Sequence, residues 1–102
     1  MASATTVALP NAPSSVVATG NSSSKVTVTW NQTVVTGGLP IASYQISRGT
    51  SQGNLVNVAA RTSASYTDNT VVHLATYYYA IQATDTGGDV SPMSPTAQVV
   101  VP

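Results

Sequence analysis

The chain has 102 residues, three basic and three acidic, a formal net charge of zero and no cysteine. That length makes one domain, and it buries enough surface for one core without covalent staples. The composition excludes disulfides and thiolate metal sites, and with 6% charged residues, against about 25% in an average domain, it leaves no electrostatic footprint for nucleic acid or an anionic membrane.

No apolar run approaches the ~20 residues that span a bilayer. Met1 to Thr6 lacks the basic and apolar regions of a signal peptide and reads as the start of an excised module. Residues 1–11 are small and polar and end towards Pro10 and Pro13; they are expected to form a linker or disordered lead-in. Residues 12–102 are expected to form the domain. Val16 and Val17 mark a short first strand, and Gly20-Asn21-Ser22-Ser23-Ser24 reads as a turn. Lys25 to Trp30 alternates, with Val26, Val28 and Trp30 on the core side. A long loop covers Asn31 to Pro40. Ile41 to Gly49 is the next strand, with Tyr44 and Ile46 inward. Leu55 to Ala59 is a weaker strand, and Ala64 to Asp68 another, with Tyr66 inward and Asp68 beginning a turn.

Thr76 to Thr84 carries the strongest pattern. Tyr77, Tyr79, Ile81 and Ala83 share one face, and Tyr78, Ala80, Gln82 and Thr84 the other. This is the expected central strand. Thr86-Gly87-Gly88-Asp89 is a turn. Val90 to Pro95 should stay irregular, because neither proline fits a central strand. Thr96 to Val101 closes the domain with Ala97, Val99 and Val101 on one face. Seven short strands, with turn signals at roughly 8–12-residue spacing and no helical period, predict an all-β, seven-stranded antiparallel immunoglobulin-like β-sandwich.

Several of these residues together resemble the fibronectin type III family from about Pro13 to Val101. Pro13 with Val17 looks like its first strand, Val26-Thr27-Val28-Thr29-Trp30 like its second, and Gly38-Leu39-Pro40-Ile41-Ala42-Ser43-Tyr44-Gln45-Ile46 like its loop and third strand. Tyr77 follows Val71 by six residues, the spacing at which the family's tyrosine corner forms. Ser94-Pro95 before the last strand matches as well. The chain departs from the pattern at Val71, where leucine is usual, and at His73-Leu74, where Pro-Gly is common. It has no Arg-Gly-Asp, so integrin recognition is not implied. The Thr-Tyr-Tyr-Tyr style resembles bacterial members, which implies an accessory module of a secreted polysaccharide-degrading enzyme or a cell-surface protein. The partners implied are neighbouring domains, with the isolated domain a monomer.

The chemistry-bearing residues support no catalytic reading. The single histidine, His73, lies in a loop with no carboxylate placed to orient it. Asp85-Thr86-Gly87-Gly88-Asp89 lacks the regular oxygen ligands of a calcium loop and reads as a turn capped by Asp85. No cofactor or metal is expected, and no enzyme. Trp30, Tyr44, Tyr66, Tyr77, Tyr79 and Ile81 are assigned to the core. Only Tyr78 points outward. The candidate binding residues are therefore Tyr78, Asp85 and Asp89, for weak contact with a polysaccharide or a partner domain through the loops 31–39 and 85–91 or the face around Tyr78. The leading expectation is a spacer between domains. Solubility is expected to depend on Lys25, Arg48 and Arg61.

Overall fold

The computed structural model describes residues 10–31 and 40–102. Among these residues, seven strands form two antiparallel sheets. The order is β1 (Ser14–Ser22), β2 (Lys25–Asn31) and β5 (Ser65–Asp68) in one sheet. It is β4 (Val56–Arg61), β3 (Ile41–Gly49), β6 (Thr76–Asp85) and β7 (Ala97–Val100) in the other. The two sheets enclose the expected core. Val26, Val28 and Trp30 of β2 face Tyr44 and Ile46 of β3 and Tyr77, Tyr79, Ile81 and Ala83 of β6. Trp30 and Tyr44 meet edge to face, with centroids 5.5 Å apart and planes at 64°, a favoured arrangement of ring quadrupoles. Strand β6 pairs with β3 and β7, so it is central to its sheet.

Two local readings change. β1 does not stop at Gly20. It pairs with β2 as far as Ser22, and the turn is only Ser23-Ser24. Gly20 is required by a close approach, because a Cβ there would lie 2.6 Å from the Pro102 ring. Strand β4 sits one to two residues later than its apolar pattern indicates. It is an edge strand, and Val56 is 67% exposed, so burial does not fix its register. Asp68 begins a turn as expected, its Oδ1 accepting from the Thr70 amide at 2.9 Å. It is fully buried at the end of β5.

The segment from Val90 to Pro95 lies along β6 without being a strand, apart from one bridge between Thr84 and Val90. Two serines replace the missing ladder. The Ser91 and Ser94 amides donate to the Ala83 and Ile81 carbonyls at 2.8 and 2.9 Å. Their Oγ atoms accept from the Ala83 and Ile81 amides, again at 2.8 and 2.9 Å. Pro92 and Pro95 have no N–H to offer, and in this arrangement none is needed.

Candidate binding surface

The candidate residues occupy two separate places. Asp85 closes β6 and opens a three-residue loop. Its amide donates to the Asp89 carbonyl at 3.0 Å, and Gly88 N donates to the Asp85 carbonyl at 3.1 Å. Gly88 has φ 89°, the left-handed residue that such hairpin loops require. Asp85 Oδ1 accepts from Gly87 N at 2.9 Å and Asp89 N at 3.0 Å. The Asp85 side chain is buried, so it holds the turn rather than facing a ligand. Asp89 is exposed on the same turn. The other candidate loop, 31–39, lies outside the described residues apart from Asn31.

Tyr78 lies seven residues back along β6, about 23 Å from Asp85 at strand rise, and on the opposite face. The fold therefore does not bring Tyr78 together with Asp85 and Asp89. Tyr78 is half-buried on the outward side of the four-stranded sheet, with Gly49 of β3 and Gln98 of β7 as register partners. Further along, Gln45 pairs with Gln82 and Ser43 with Thr84. Gln45 Nε2 donates to Ser43 Oγ at 3.0 Å, and Thr84 Oγ1 donates to Gln45 Oε1. Gln82 Nε2 donates to the Ser91 carbonyl at 3.1 Å. Between these polar pairs and Tyr78 lie Ser47 and Ala80, which pair with each other and are both buried. Alternation placed each glutamine on an outward face. Their alignment across strands is a matter of register, which alternation does not carry.

A second cluster escaped the sequence altogether. Asp68 of β5 reaches across to the other sheet. Arg48 Nη1 of β3 donates to Asp68 Oδ2 at 2.7 Å, and Tyr79 OH of β6 donates to the same oxygen at 2.7 Å. Thr70 N and Oγ1 donate to Asp68 Oδ1 at 2.9 and 2.6 Å. Burial alone would raise the Asp68 carboxyl. The bonds from Thr70, Tyr79 and Arg48 outweigh it and hold the group below the usual carboxylate range. Burial, then the bond to Asp68, pushes the Tyr79 phenol far up. Arg48 also sits over the Tyr77 ring at 5.1 Å, and Arg61 over the Tyr66 ring at 4.9 Å. Both arginines thus lie over rings of the domain, Arg61 from an exposed position, and half-buried Tyr66 is capped by it.

His73 is exposed, and its Nδ1 lies 2.9 Å from the Pro102 carbonyl oxygen. Among the described residues, no group of three or more His, Asp or Glu side chains could hold a metal ion. Tyr77 OH accepts from Val72 N at 2.9 Å, closing the tyrosine corner.

No family model matches the chain. Exoglucanase B of Cellulomonas fimi is 34% identical over 85 residues, covering 83% of this chain, which spans 7% of that enzyme's length. A solved Fn3-like protein from Clostridium thermocellum superposes with TM-score 0.72 at 28% identity, covering 94% of each chain. The 6th fibronectin type III domain of human fibronectin type III domain containing protein 3 gives TM-score 0.73 at 21% identity, covering 99% of this chain and 91% of that one. With seven strands in this order and these likenesses, the chain is a domain of the fibronectin type III fold.

Proposed function

We propose that this domain is a non-catalytic spacer in a secreted or cell-surface multidomain protein, one that degrades polysaccharide. The observation that carries the reading is the placing of the described ends. Ser14 pairs with Asn31 at one pole of β1, and the Pro102 ring rests on Gly20 towards the other. The exit is held firmly. Val101 exchanges bonds with Leu74 and Ala75 at 3.1 and 2.9 Å, and the Pro102 carbonyl meets His73. A chain that enters at one pole and leaves from a clamped exit at the other holds its neighbours apart. The ten residues of β6 set the added length at about 33 Å. The likeness to part of an exoglucanase supports the setting.

The test uses the parent chain with this domain excised or replaced by a Gly/Ser linker of equal length. Small-angle scattering should show the flanking domains closer or more variably spaced, and hydrolysis of a small soluble substrate should be unchanged. Turnover of a glycan by the purified domain, or interdomain spacing unaffected by excision, would overturn the reading.

A further inference from the structure

We propose that the outward face of the β4-β3-β6-β7 sheet is a contact surface for a neutral, extended glycan chain. The proposal rests on the polysaccharide setting above and adds a surface and a ligand class to it. None of the three basic and three acidic side chains occupies an outward position of β3, β6 or β7. Lys25 lies on β2, Arg48 and Asp68 bind each other between the sheets, Arg61 is turned onto Tyr66, Asp85 is buried and Asp89 lies in the turn. Such a face offers nothing to a polyanion or a charged headgroup, and a polyhydroxyl chain is the polymer that needs no charge opposite it.

The polar groups of this face are already held in place. Gln45 is fixed between Ser43 and Thr84, and Gln82 is fixed to the Ser91 carbonyl. Each amide keeps donor or acceptor capacity beyond its internal bond. Its conformational entropy has already been lost in folding, so less is lost on binding. Tyr78 supplies a planar apolar surface for a sugar ring, with Gln98 as its neighbour across the ladder. Tyr78 and Gln82 are four residues apart on β6, about 13 Å at strand rise. The Ser47–Ala80 pair between them is buried, so Tyr78 and the glutamine pair form two separate points of contact. That separation fits several rings of an extended chain rather than one sugar.

One aromatic and uncharged hydrogen bonds set the expected dissociation constant on the order of a millimolar. The test is an amide-resolved NMR titration of this chain with cellohexaose and with laminarihexaose, beside co-sedimentation with microcrystalline cellulose. Shifts should gather at Tyr78, Gln98 and the side-chain amides of Gln45 and Gln82. Tyr78→Ala should weaken binding at least tenfold. Gln98→Ala, at an exposed position, should weaken it severalfold with an unchanged melting curve. Absence of shifts and of sedimentation, shifts confined to residues 85–89, or full binding by both variants would overturn the proposal. Each of those outcomes leaves the spacer reading standing, because interdomain spacing is measured separately.

Discussion

Asp68 is the residue on which the domain's pH response turns. Its pKa is held down in the fold, so its contribution to stability is complete above the ordinary carboxylate range. That contribution is lost as pH falls below about 4 and through the folded value. Asp68→Ala removes the acceptor shared by Arg48, Tyr79 and Thr70 and should cost about 3–5 kcal/mol in urea denaturation at pH 7. Asp68→Asn should flatten the acid limb of the stability profile, measured as the urea midpoint between pH 2 and 7. At the other limb, the raised Tyr79 pKa means its contribution is present below about pH 10 and lost as pH climbs beyond it. None of this was legible in the sequence. Arg48 and Asp68 lie twenty residues apart on different strands, and nothing in either neighbourhood marks them as partners. Leu74 is a second single-residue case. It has φ 66° at the third position of a turn closed by Ala75 N on the Val72 carbonyl. A turn of this kind wants glycine there. The sequence showed the departure, His73-Leu74 for Pro-Gly, and the backbone shows its cost. Leu74 is 69% exposed, so Leu74→Gly forfeits little packing and should stabilise the domain by about 1 kcal/mol, read from the same denaturation curve.

At the scale of the element, legibility followed burial. Strands β2, β3 and β6 each have one side in the core, so their alternation is enforced and readable. Strand β4 is exposed nearly throughout, and its pattern misplaced it slightly. The end of β1 was hidden by turn-forming residues. Gly20 and Asn21 are there because Pro102 presses on one and the Thr27 hydroxyl bonds the other. The Ser-Pro segment was readable as a non-strand but not as a substitute for one. The two serines satisfy buried amides of the central strand. Ser94→Ala should leave Ile81 N–H without an acceptor, and Ser91→Ala should do the same to Ala83 N–H. Each should cost about 1–3 kcal/mol. Hydrogen exchange checks the mechanism, since protection should fall at those two amides first.

For the whole molecule, two kinds of contact join the sheets. The apolar core does most of the joining, and β5, a four-residue edge strand, adds polar straps through Asp68 to Arg48 and Tyr79 and through Tyr66 to Arg61. Trp30→Ala and Tyr79→Ala should each cost about 3–5 kcal/mol, whereas Tyr78→Ala, on the outer face, should cost much less. A scan of the three by chemical denaturation checks the inward register of β6 in the folded protein. A reversed order would mean that every side chain of that strand points the other way. The same outward register is what gives the sheet its uncharged face.

The geometry of Ser91 to Pro95 bears on behaviour in crowded solution. Molecules with no net charge do not repel one another at a distance, so nothing slows their encounters. What matters then is whether an encounter can nucleate strand addition. Sheet edges are where that begins. Along this stretch, the serines turn their amides towards β6 and the prolines have none to present. An incoming chain finds at most the single Met93 amide there, too short a run to template a strand, and soluble lifetime is protected by backbone chemistry where electrostatics offers no help.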